Sequence, residues 1–147
     1  MVKRQVSATR VVGVGAGELF EMLADPAQHP VIDGSGTVVG SRSAGPRRLG
    51  LGDRFGMEMR IGLPYKILNT VVEFEEGTRI AWRHFFGHRW RWELRDLGDG
   101  RTEVTETFDW STAKAGFLLE WVRFPAKNLH GIRATLDRLA ERYPARG

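Results

Sequence analysis

The sequence predicts a single α+β domain in which an antiparallel sheet packs against one long C-terminal helix. Three observations predict it. Apolar residues recur at Leu118, Trp121, Val122, Leu129, Ile132, Leu136 and Leu139, the spacing of one helical face, while Lys114, Arg123, Lys127, Arg133, Asp137, Arg138 and Arg142 occupy the other. Upstream, β-rich runs are separated by turn signals about every 10–12 residues, the rhythm of an antiparallel meander. No linker, internal repeat or low-complexity tract divides the 147 residues, a length that suits one domain. A helix from Ala113 to Tyr143, about thirty residues rising ~1.5 Å each, would span ~45 Å and lie across the whole molecule.

Each element has its own signal. Val2 to Val12 is β-rich and reads as a first, edge strand. Gly13-Val14-Gly15-Ala16-Gly17 breaks that pattern, and Glu18 to Ala24 follows as a short amphipathic helix stopped by Asp25-Pro26. A second helical turn, Pro26 to Ile32, ends at Asp33-Gly34. Strands are expected at Gly36–Arg42, Arg54–Ile61, Tyr65–Glu75, Arg79–Phe85, Arg89–Leu97 and Arg101–Trp110. Turns are expected at Arg47–Asp53, Gly62-Leu63-Pro64, Glu76-Gly77, around Gly87 and at Gly98-Asp99-Gly100.

Alternation also predicts a register. A three-residue loop, Phe86-Gly87-His88, sets His84 opposite Trp90, Trp82 opposite Trp92 and Ile80 opposite Leu94. A second such loop at 98–100 sets Leu94 opposite Val104, Trp92 opposite Glu106 and Trp90 opposite Phe108. Every aromatic then faces one way, and a slip of one residue would turn them all to solvent. The concave face would carry Met57, Met59, Trp82, Trp90, Trp92 and Phe108 with two polar intruders, His84 and Glu106. The convex face would carry Arg83, Arg89, Arg91, Glu93, Arg95, Glu103 and Asp109, with Arg83 and Arg91 as cross-strand neighbours.

Composition narrows the function. There is no cysteine, so disulfide frameworks and thiolate chemistry are excluded. No apolar run approaches the roughly 18 residues of a membrane span, and no signal-peptide core opens the chain, so a cytoplasmic location is expected. The net charge of +4 comes mostly from arginine and permits weak attraction to anionic surfaces. The scattered histidines lack metal-ligand spacing, so neither metal nor cofactor is expected. Gly13 to Gly17 follows a strand but precedes no βαβ unit, which argues against dinucleotide binding. In Arg89-Trp90-Arg91-Trp92 the two residue types face opposite ways, so they cannot stack bases and hold phosphates on one surface.

The order of elements resembles that of the helix-grip fold, the superfamily of START lipid-transfer domains, Bet v 1 plant proteins and polyketide cyclase/dehydrase-like proteins. The local matches are Gly17-Glu18-Leu19-Phe20, Asp25-Pro26, His29-Pro30-Val31-Ile32-Asp33-Gly34-Ser35-Gly36, Arg79-Ile80-Ala81-Trp82 and Leu136-Asp137-Arg138-Leu139. The set is similar to bacterial, especially actinobacterial, polyketide cyclase-like proteins, over nearly the full chain. The resemblance implies a curved antiparallel sheet around the long helix, two short lid helices and a cavity between them. Pro125 fits an arched helix, since a proline inside a helix clashes with the carbonyl four residues back, here Trp121.

Within that frame the expected partner is an apolar or aromatic small molecule, lipid- or polyketide-like, for a monomer or homodimer. Its pocket would be lined by Phe20, Met57, Met59, Trp82, Trp90, Trp92, Phe108, Trp121, Phe124 and Asn128; the bland reading is an ordinary core. His84 and Glu106 are candidate proton carriers, because burial moves imidazole and carboxyl groups toward neutral titration. By strand spacing they stand ~10–12 Å apart. His29 and Asp33, four apart on a helical turn, form a second candidate pair, against a plain helix-end role. A polyketide cyclase or dehydratase would use these groups. The third class is an interaction protein, RNA- or ribosome-binding, that works through its basic convex face, although nucleic acid is not the favoured partner.

Overall fold

The computed structural model describes residues 4–29, 38–41, 48–61, 63–83, 87–111 and 124–145, with backbone alone at 27, 38–41, 57–61, 63–67 and 124–125. The strands are β1 (Gln5–Val12), β2 (Val38–Ser41), β3 (Arg54–Ile61), β4 (Leu63–Glu75), β5 (Arg79–Arg83), β6 (Arg89–Gly98) and β7 (Arg101–Asp109). The helices are α1 (Ala16–Leu23) and α2 (Phe124–Arg142), with a 3-10 turn at Pro26–Gln28. All seven strands form one antiparallel sheet in the order β1-β7-β6-β5-β4-β3-β2. This is the predicted α+β architecture: β1 leaves the meander and closes it at the far edge, beside β7.

The inner face follows the alternation. Ile80, Trp92, Leu94, Val104 and Phe108 are buried there, under Leu19, Phe20 and Leu23 of α1 and Ile132, Leu136 and Leu139 of α2. The β6–β7 register is as predicted, with Trp90 opposite Phe108, Trp92 opposite Glu106 and Leu94 opposite Val104. Its turn is shorter than expected. Gly98 pairs with Arg101, so the loop is Asp99-Gly100, and both residues have positive φ, 54° and 72°. That is the two-residue turn whose twist suits a hairpin, and the spare residue is taken up by a bulge between Asp96 and Gly98.

The β5–β6 register corrects the prediction by two residues. Ile80 pairs with Trp92, Trp82 with Trp90 and Arg83 with Arg89. The connection is longer than the three residues assumed, and a shift of two preserves every facing. Arg83 therefore opposes Arg89, while Arg91 opposes Ala81. Leu63 and Pro64, expected in a turn, belong to β4, where Leu63 pairs with Ile61 and Pro64 with Arg60.

One irregularity reorganises β4. Val71 pairs with Trp82, but Glu73 pairs with Ala81, so Val72 is an extra residue. The bulge inverts the facing of everything before it. Phe74 faces inward opposite Ile80, yet so does Asn69, opposite Phe55. Asn69 is 2% exposed and Leu68 is 54% exposed, the reverse of what an unbroken strand would give.

The ends of α1 and α2 are tied down. After α1, the Met22 carbonyl accepts from Asp25 N–H, that of Leu23 from the His29 ring and that of Ala24 from Leu49 N–H. These bonds satisfy carbonyls that a helix end otherwise leaves open. Helix α2 packs on β1 and β7. Pro125 lies in the first turn of its described span, where proline is tolerated; residues 112–123 of the expected helix lie outside the described residues. At the other end Gly13 N–H donates to the Tyr143 carbonyl at 2.7 Å. A Cβ at Gly13 would stand 2.2 Å from the Pro144 carbonyl oxygen. Gly13→Ala is expected to destabilise the fold by about 1–3 kcal/mol through this backbone clash. An unchanged urea midpoint would show that the latch contributes nothing.

Candidate functional site

The inner face divides into a closed half and a half whose aromatic rings keep some exposure. Toward α2 the side chains are sealed: Ile80, Val104 and Leu139 are 0% exposed. Trp82 and Trp90, directly opposite one another, are only partly buried. Around each stands an aromatic cluster.

Trp82 is stacked by His29, with ring centroids 4.8 Å apart and planes 20° from parallel. Phe55 meets both edge-on, at 5.4 Å from Trp82 and 5.5 Å from His29. The 3-10 turn after α1 delivers His29, whose Nε2 lies 2.8 Å from the Leu23 carbonyl oxygen. A carbonyl only accepts, so Nε2 carries the proton and donates it there. His29 thus closes the end of α1 while its ring forms part of the aromatic wall. Trp90 and Phe108 form the second cluster at 4.9 Å, with His88 at 5.1 Å and Trp110 at 5.8 Å from the Phe108 ring.

Glu106 is 7% exposed on the inner face of β7, opposite Ala8 on one side and Trp92 on the other. Asn128 extends the buried stripe of α2 by one turn beyond Ile132 and leaves its Nδ2 without a hydrogen bond. Counting ~1.5 Å per helical residue and ~3.3 Å per strand residue from the Arg10–Asp137 ion pair puts Asn128 about level with Val6, the partner of Phe108. Phe20 packs its edge on Phe74 at 5.5 Å and is 1% exposed, inside the core. Met57 and Met59 pair with Ile67 and Tyr65 in β3–β4. The side chains of Met57, Met59 and Phe124, and the whole of Asp33, His84 and Trp121, lie outside the described residues.

Two inner-face residues escape the sequence reading. His88, assigned above to a hairpin loop, is 4% exposed and continues the even-numbered face of β6 by one position. The parity of Trp90 and Trp92 was its signal. Asn69 had none, because the bulge that turns it inward leaves no mark in the pattern. Its Oδ1 is buried without a hydrogen bond, an arrangement that costs about 1–3 kcal/mol when nothing else binds the group.

Comparison with solved structures settles the fold. Ginseng major latex-like protein 151 from Panax ginseng aligns with TM-score 0.73 at 13% identity, covering 96% of this chain and 97% of that one. Zhui aromatase/cyclase from Streptomyces sp. R1128 aligns with TM-score 0.66 at 18% identity, covering 95% and 94%. The chain has the helix-grip fold. No family model matches it. Mycobacterium tuberculosis (strain ATCC 25618 / H37Rv) protein Rv0088 is 42% identical over 97% of the chain, and the chain spans 65% of that relative's length.

On the convex face of this helix-grip sheet four arginines, Arg79, Arg89, Arg91 and Arg95, are paired with carboxylates. Glu73 accepts from Arg89 at 3.0 Å and from Arg91 at 2.7 Å, and Arg91 also reaches Asp109 at 3.1 Å. Arg79 pairs with Glu75 at 3.0 Å and Arg95 with Glu103 at 2.8 Å. Glu73 and Arg91 meet above Ala81, which is 0% exposed beneath them. The Arg91 hydrogen bonds hold the Glu73 carboxyl below its ordinary range, against the upward push of burial. At Asp109 burial also pushes up, but bonds from the Ser111 hydroxyl and N–H and from Arg91 outweigh it, and the carboxyl is held low.

A carboxyl depressed in the folded state adds stability above its unfolded pKa and loses it as pH falls through the folded value. Acid should therefore weaken the fold progressively below about pH 4. Glu73→Gln should cost about 2 kcal/mol at pH 7, by taking the carboxylate from Arg89 and leaving Arg91 with Asp109 alone, and should flatten the acid limb. Urea melts from pH 2 to 7 that superimpose for the two proteins would contradict this account.

Proposed function

We propose that this protein binds an apolar or aromatic small molecule, lipid- or polyketide-like, between the inner sheet face and the elements that cover it. The partial exposure of Trp82 and Trp90 carries the reading. Large aromatic side chains on the buried face of a well-packed sheet are normally sealed, as Trp92 is at 3%. Two facing tryptophans left partly open, with Phe55, His29 and Phe108 around them, offer flat apolar surface with a few polar groups at its margin. Sites for small molecules have that composition. The fold is shared with an aromatase/cyclase, which supports the reading. Phe20, already packed on Phe74, would act as a wall of the core. Trp82 and Trp90 would be the contact surface, with Asn128 at one margin and Met57, Met59, Trp121 and Phe124 completing the lining.

Saturable quenching of tryptophan fluorescence by lipophilic aromatic ligands is expected. Trp82→Ala should weaken binding about tenfold, the loss of one ring stack. Titrations that never saturate, or that are unaffected in this variant, would reject the site.

A second reading adds chemistry, favoured by the burial of Glu106 among tryptophans. Glu106, with His84, His29 and Asp33 as further carriers, would move protons in an aldol cyclisation or dehydration of a polyketide-like substrate. His29 could exchange a proton only through Nδ1, since Nε2 is engaged with Leu23. Under this reading Glu106→Gln abolishes turnover of a poly-ketone and leaves its binding intact. Equal rates in variant and wild type would remove Glu106 from the mechanism.

A further inference from the structure

Asn69 plays no part in the packing described above, yet the chain goes to some length to place it. Without the bulge at Val72, Leu68 would face the interior and Asn69 the solvent. With it, an exposed leucine and a sealed amide change places. Neither exchange helps folding, because both run against the burial preference of the side chain. Bulges recur where a strand has to re-aim a side chain beside a site.

The amide arrives next to the aromatic wall. Asn69 is directly opposite Phe55, whose ring touches Trp82 and His29. Val71, two residues on, is directly opposite Trp82, which makes Asn69 and Trp82 diagonal neighbours on one face. Asn69 is 98% buried, as its 2% exposure requires, and its Oδ1 accepts no hydrogen bond. An amide oxygen is an acceptor only, so what it lacks is a donor.

We propose that Asn69 anchors the ligand, and that the ligand is a planar aromatic molecule bearing a hydroxyl. The hydroxyl donates to Asn69 Oδ1 while the ring lies against Trp82 and Phe55. This rests on the small-molecule reading and narrows it from any lipophile to phenol-like compounds. It makes Asn69 the residue that discriminates among ligands, with the tryptophans supplying affinity common to all of them.

Isothermal titration with three probes of one ring system tests it: 2-naphthol, 2-methoxynaphthalene and naphthalene. Wild type should bind 2-naphthol about fivefold or more tighter than the other two, which cannot donate. Asn69→Leu should erase that preference and leave naphthalene binding within about twofold, with a melting temperature no lower than wild type, since a stranded amide is gone. Asn69→Val serves the same comparison if the leucine variant does not fold. Equal affinity of wild type for all three probes overturns the anchor while leaving the cavity standing. A preference that survives both substitutions assigns the hydroxyl to another residue and also overturns it. Failure of all three probes to bind brings down the small-molecule reading and this one with it.

Discussion

One mismatch of dimensions governs the molecule: a helix is too narrow to cover seven strands. At ~4.8 Å between strands the sheet is roughly 29 Å wide, while a helix with its side chains measures ~10–12 Å. The described part of helix α2 packs on β1 and β7. The inner faces of β3 to β6 must be covered by something else. Part of the answer is α1, which sets Phe20 on Phe74. The 3-10 turn supplies another part, since His29 lies flat on Trp82. Among the described residues side-chain bulk adds to this, with tryptophan and phenylalanine at inward positions of β5, β6 and β7. An aromatic wall is what a wide sheet needs under a narrow helix, and the same wall is what a flat ligand would meet.

The outer face solves a different problem. An apolar surface there would invite association. The chain instead spans it with carboxylate–guanidinium pairs running across strands. Glu73 on β4 and Arg91 on β6 reach each other over β5 because the residue between them is Ala81, small enough to lie under both side chains. Side-chain exposures of 18% and 14% remove much of the solvent screening that makes ordinary surface pairs weak. The pairing also eases the like-charge contact of Arg83 opposite Arg89, because the Glu73 carboxylate offsets the charge on Arg89. Positive charge that reads as a basic face in the sequence is largely spent within the sheet.

What the sequence discloses follows from which features are periodic. The antiparallel meander, the β6–β7 register and the facing of Trp82, Trp90, Trp92, Glu106 and Phe108 come from strict alternation on either side of Gly98-Asp99-Gly100, and these hold in the structure. The β5–β6 pairing has no such anchor. A loop of three residues and one of five give the same facing, so the faces are right and the partners are displaced. A bulge is worse than a loop in this respect, because one inserted residue looks like any other. Val71-Val72-Glu73 reads as continuous strand, and nothing in those three letters announces that Asn69 lies inside and Leu68 outside. His29 was legible as a candidate from its place after α1, but its stack on Trp82 depends on a turn geometry that no side-chain pattern encodes.

The departures from local rules are not scattered. A strand that inserts a residue, a leucine in solvent, an asparagine sealed without a donor, a histidine turned inward from a helix end and a tryptophan left half open all belong to one neighbourhood around Trp82. Elsewhere in the described residues Ile80, Val104, Leu136 and Leu139 are buried in the apolar core, while Glu106 and His88 are buried polar groups further along the same face. Sequences shaped by folding alone tend to agree with themselves at every level, and disagreements gather where something besides folding is being selected. A hydrophobic residue in place of Asn69, or a regular β4, would give a more stable sheet with the same topology. That the chain carries the less stable arrangement at the partly open end of its aromatic wall is a physical argument that this end is meant to be filled by something that is not protein.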